Sequence, residues 1–250
     1  MSQTDTRPIA VIAIGLALLL AAGVWWISRR EPAGNSTPTA VASTEAPLDA
    51  RPSPPVDLPP LDQMDAFLRP LLSGLSARPE LARWLATDDL VRQLAAAIDQ
   101  ASAGGSPARD FKVIAPASRF AVAGRGDRRT IDPASYKRYD GLVQTVTSID
   151  ASRVAQIYKT IRPRVNDAYR GMGHPEGNVD AALQRTIDIL LDTPAVKDPI
   201  ALTEGSGAGW AYADDDLEDL TPTQKQLLRM GPVHADALKV WLRALRQALQ

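Results

Sequence analysis

The chain has 250 residues, 45% of them hydrophobic, enough to bury one sizeable core or two small ones. Its 28 Lys and Arg nearly balance 29 Asp and Glu, and from Leu61 onward there are 24 of each, so no global field draws the folded part to nucleic acid. It has no cysteine, which excludes disulfides, thiol nucleophiles and thiolate metal sites, and suits an oxidising compartment.

After a short tail (1–8), the run IAVIAIGLALLLAAGVWWI from Ile9 to Ile27 holds nineteen residues without a charge. As a helix it spans roughly 28 Å, about the hydrocarbon thickness of a bilayer. Pro8 suits the first turn, Trp25 and Trp26 fall where interfacial aromatics belong, and Arg29 and Arg30 stop the run. A cleaved signal peptide is the rival, with Ala21, Ala22 and Gly23 as a cleavage site. Against it, the apolar run continues through VWWI and only Arg7 precedes it, so 9–27 reads as an uncleaved, single-pass signal-anchor.

Residues 28–60 read as a disordered linker rich in Pro, Ala, Ser and Thr, with eight prolines between 31 and 60 and no aromatic. The positive-inside count ties Arg7 and the terminal amine against Arg29 and Arg30. A stalk that holds a domain away from the membrane tips the reading to a bacterial inner membrane with the C-terminal domain in the periplasm.

Residues 61–250 read as one mainly α domain, a compact multi-helix body with one or two short β-hairpins. Leu61, Met64, Leu68, Leu71, Leu72 and Leu75 make one apolar stripe, and PELARWL and DDLVRQLAAAI supply two more short helices before Gly104 and Gly105. Between Phe111 and Ile131 the segments FKVI and FAVAGRGDRRTI alternate around a GRGD turn, which predicts a two-stranded ribbon. Asp132 then caps and Pro133 opens a helix whose buried face runs Tyr136, Tyr139, Leu142, Val143, Val146 and Ile149. Asp150 or Ser152 caps the next helix, which carries Pro163 and should kink there without breaking. Val179 to Leu191 forms another, IALTE and WAYA form a second hairpin, Thr221 and Gln224 form a capping box, and Gly231 with Pro232 turns into the last helix.

Taken together, LPPLDQMDAFLRPLL (58–72), PELARWL (79–85), IDPASYKRYDGLV (131–143) and PTQKQLLRMGP (222–232) resemble domain of unknown function 3014. The resemblance implies a bacterial protein with an N-terminal anchor, a disordered linker and a largely helical domain. It implies no catalytic or binding residue.

Chemistry is sparse. His174 and His234 lack a second His at metal spacing, so neither metal nor cofactor is expected. GSGAG (205–209) does not lead directly into a helix as a phosphate cradle should, and DDDLED (214–219) lacks the Gly and alternating ligands of a calcium loop. PTQKQLLRMGP is a corner, since the second helix lacks the basic start of a DNA reader.

The least ordinary segment runs from Arg109 to Arg138, with eight cationic residues against three Asp, an excess of five. Within it Arg119, Arg125, Arg128, Arg129, Lys137 and Arg138, beside Tyr136 and Tyr139, are the candidate surface for an anion or an acidic partner. The plainer reading is a solvated hairpin carrying charge on its outer face. The function expected is a membrane-tethered, non-enzymatic interaction module of the bacterial envelope, binding a protein or cell-wall component. The alternative is an enzyme on an envelope polymer, using Asp132, Tyr136, Tyr139, Asp140 or His174 as acid and base.

Overall fold

A computed structural model describes residues 57–107, 116, 118–205 and 209–250. The anchor expected at 9–27, the linker up to residue 56, Arg109, Lys112 and the FKVI strand lie outside those residues. Among the described residues no helix is long and apolar enough to cross a membrane.

The described chain is mainly helical, with two small antiparallel hairpins. Leu58 is buried, and the Arg164 guanidinium donates to the Leu58 and Pro59 carbonyls at 2.8 Å each, so the body takes hold of the chain just before its first helix. A 3-10 turn, Leu61–Gln63, leads into α1 (Met64–Ser73), followed by α2 (Pro79–Leu85) and α3 (Leu90–Ser102).

The three are tied by two α1 side chains. Asp65 accepts from the Asp89 and Leu90 N–H groups at 2.8 and 2.9 Å, capping α3 from outside, because Asp89 has φ +59° and makes no cap of its own. Arg69 donates to the Leu85 and Thr87 carbonyls at 2.9 Å each, closing the end of α2.

The first hairpin pairs β1 (Val122–Ala123) with β2 (Thr130–Ile131) around the GRGD turn. The single helix expected from Asp132 to Ile149 is corrected by the structure. Asp132 does cap, through Ala134 N–H at 2.8 Å, but Pro133–Tyr139 winds as a 3-10 helix and α4 (Asp140–Thr147) starts only afterwards. Within this stretch Arg138 Nε donates to the Ser135 carbonyl at 2.8 Å, the acceptor that an α-helical Tyr139 N–H would use. The Ser135 hydroxyl, meanwhile, bonds both polar groups of the Ala121 backbone.

Next, α5 (Ala151–Gly171) is capped by Asp150 and runs unbroken through Pro163, and α6 (Val179–Leu191) is capped by Asn178. Strands β3 (Leu202–Glu204) and β4 (Trp210–Tyr212) form the second hairpin. A short α7 (Asp215–Glu218) follows, then α8 (Pro222–Arg229) with its full Thr221–Gln224 capping box, then α9 (Pro232–Leu249).

One apolar cluster runs through all the longer helices, with α9 laid against α4, α5 and α6, and α3 against α5 and α6. Leu238, Leu242 and Leu245 of α9 are fully buried, and burial of such a side chain stabilises by about 2 kcal/mol each. Trp241 is buried beside them with its indole N–H on the Ile149 carbonyl at 2.8 Å. A second, smaller cluster of Ile131, Ile200, Leu202, Tyr212, Leu217 and Leu228 lies beneath the hairpins.

Candidate functional site

The basic segment sits on a small platform of two hairpins joined edge to edge. The Ile131 N–H donates to the Ile200 carbonyl at 3.0 Å and the Leu202 N–H to the Arg129 carbonyl at 2.8 Å. Gly124 makes the β1–β2 turn feasible: its φ is +81° and a Cβ there would lie 2.0 Å from the Arg128 carbonyl oxygen.

On this platform the candidate residues separate into two groups. Arg129 bonds Glu204 at 2.7 Å and lies over the Trp210 ring at 4.9 Å, so it clamps one hairpin to the other. Arg138 reaches the Ser135 and Ser118 carbonyls and the Tyr139 hydroxyl, and lies over the Phe120 ring at 5.5 Å. Both guanidiniums are committed within the protein. Arg119, Arg125, Arg128 and Lys137 are exposed, and none forms an ion pair with a described residue. Among the described residues they are the candidate cations without a carboxylate partner.

The two tyrosines do not belong to that open face. Tyr139 is buried, and burial raises its pKa against the pull of Arg138. Tyr136 donates to the Asp198 carboxylate at 2.7 Å, and burial together with that carboxylate pushes its pKa far up. The Tyr136 ring packs flat against Gly231, where a Cβ would come within 2.5 Å of the ring. A second link forms one turn on: His234 Nε2 meets Asp140 at 3.0 Å while its Nδ1 meets the Met230 carbonyl at 2.8 Å. Both ring nitrogens face acceptors, so the ring is held from two sides.

Gln226 of α8 completes this joint. Its amide is buried close enough to the Tyr139 hydroxyl to work against the rise in that pKa, but neither its nitrogen nor its oxygen reaches good hydrogen-bond geometry. Nearby, the Tyr212 hydroxyl donates to the Lys225 carbonyl, and burial pushes its pKa up to about 12 although Arg229 works the other way.

The segments YKRYD (136–140) and QLLRMGP (226–232), far apart in the chain, thus meet in one tight joint. A family model described as protein of unknown function, DUF3014, matches residues 90–246, a span that contains both. The chain belongs to the DUF3014 family. No curated protein and no solved structure matches it. In this DUF3014 chain α1 and α2 lie ahead of the matched span although both pack into the same core.

The acid and base candidates are each engaged in separate contacts. Asp132 caps the 3-10 turn, Tyr136 holds Asp198 and Asp140 holds His234. His174 holds Asp99 at 2.9 Å and stacks on Tyr169 at 4.5 Å, pinning the α5–α6 turn to α3. DDDLED supplies the Asp214 cap and α7, and no group of three or more potential metal ligands occurs among the described residues. A cavity of about 20 Å³, room for one water, lies between residues 194–196 and α9 beside Lys239. The contacts that reading the chain misses are the long-range ones. Asp198, Glu204 and Gln226 have no local pattern that marks them.

Proposed function

We propose that this DUF3014 chain is a membrane-tethered interaction module of the bacterial envelope. Residues 9–27 anchor it in the inner membrane as a single pass, the proline-rich stretch gives it reach, and the helical body stands in the periplasm. Its first hairpin grips an acidic protein or an anionic cell-wall component. The reading is carried by four exposed cations, Arg119, Arg125, Arg128 and Lys137, that have no carboxylate partner among the described residues. Arg129 and Arg138 hold the platform beneath them. Cations presented from a fixed support lose less freedom on binding than cations on a mobile loop.

The test is a pull-down from solubilised envelopes with full-length chain and the triple variant Arg125→Ser, Arg128→Ser, Lys137→Ser. Three rim ion pairs of about 0.7 kcal/mol each predict roughly thirtyfold weaker retention with an unchanged circular dichroism spectrum. Equal retention of wild type and variant ends the proposal. For the anchor and its orientation, a reporter enzyme fused after Gln250 should be active only if it works in the periplasm.

A further inference from the structure

Helix α9 turns a narrow apolar stripe to water. Val233 is 78% exposed and Val240 64%, Ala244 is exposed and Ala237 half-buried. Their spacing of four, three and four places them on one line along the helix, opposite the buried Leu238, Leu242 and Leu245. Asp236 and Arg243 are both exposed on one flank of that line, and neither forms an ion pair with a described residue.

We propose that α9 pairs antiparallel with α9 of a second copy of this chain. A two-fold axis between Ala237 and Val240 sets Val233 level with Ala244 of the second copy and Ala237 beside its Val240. At 1.5 Å of rise per residue, Asp236 then lies within about 3 Å along the axis of Arg243 of the second copy, and symmetry makes that pair twice. Like charges stay apart, with the two Asp236 separated by about 7 Å along the axis and the two Arg243 by about 13 Å. In a parallel pair the two flanks fall on opposite sides of the seam and this complementarity is lost, which selects the antiparallel arrangement. Alanine at two of the four seam positions lets the helices approach closely. Two valines and two alanines make a small seam, so the pairing rests on the membrane tether proposed above, which holds the chains at high local concentration.

The natural chain has no cysteine, so introduced thiols report alone. Full-length Val233→Cys and Ala244→Cys chains are co-expressed and treated in intact cells with a short, membrane-permeant bismaleimide. A crosslinked dimer is expected when both variants are present and is expected to be absent from either alone, because self-pairs lie about 16 Å apart along the axis. Adding Asp236→Arg to both chains should cut the dimer roughly tenfold, and adding Arg243→Asp as well should restore it. Crosslinking of Val233→Cys to itself would mean parallel pairing and overturn the proposal, as would a mixture that gives no dimer. All of these side chains are exposed, and matching circular dichroism spectra check that the variants fold.

Discussion

Gln226 lies buried in the joint without a well-formed hydrogen bond. Burying an amide without partners is unfavourable, and replacing it by an apolar side chain of similar volume removes that cost. Gln226→Met should raise stability by about 1 kcal/mol, read as a higher urea midpoint at constant slope; a lower midpoint would show that the amide is needed where it lies. Glu218 gives a second residue-level expectation. Burial works to raise its pKa, but Lys225 at 2.6 Å and the Tyr212 N–H outweigh it and leave the carboxyl below its ordinary value. A carboxyl lowered in the folded state contributes stability at neutral pH and loses it only as pH falls through the lowered value. Lys225→Met removes most of that contribution, so the variant is less stable above the lowered pKa and its acid-unfolding midpoint should move up. An unmoved midpoint would mean that Lys225 and Glu218 are not coupled. At this scale the sequence was partly legible: Asp132, Asp150 and Thr221 cap as their local patterns predict. Tyr136 with Asp198 was not, because 62 residues separate the two and nothing in the spacing encodes their meeting.

Among the elements, the corner between α8 and α9 depends most on one small residue. Gly231 has φ +90° and carries the Tyr136 ring against its Cα. Gly231→Ala combines left-handed backbone strain with overlap on that ring, and should destabilise by roughly 3 kcal/mol in a urea titration. Shortening the ring with Tyr136→Ala should recover part of the Gly231→Ala loss in a double-mutant cycle, and full additivity would mean that the two do not touch. Asp65→Ala removes the external cap of α3 and two hydrogen bonds, for an expected loss of about 2 kcal/mol. The longer helices were legible because their apolar stripes have the helical period. The 3-10 stretch 133–139 was not, because the apolar period encodes neither the Arg138 side chain on the Ser135 carbonyl nor the Ser135 hydroxyl on the Ala121 backbone. In the basic segment, charge spacing marked a stretch of chain but gave no means of telling the clamping Arg129 and Arg138 from the exposed Arg119, Arg125, Arg128 and Lys137.

For the whole molecule, the body begins where Arg164 seizes Leu58 and Pro59, so the chain leaves it at a fixed point on α5. In the proposed arrangement the exposed cations Arg119, Arg125, Arg128 and Lys137 meet the partner. A photo-crosslinking amino acid placed at position 128 in the full-length chain, activated in intact cells and followed by mass spectrometry, tests this most directly. The account predicts one discrete adduct with an acidic envelope protein or cell-wall fragment, lost when Arg125 and Lys137 are changed to Ser. Contradiction would come from no adduct at 128, or from the same adducts at an equally exposed control position such as Arg153.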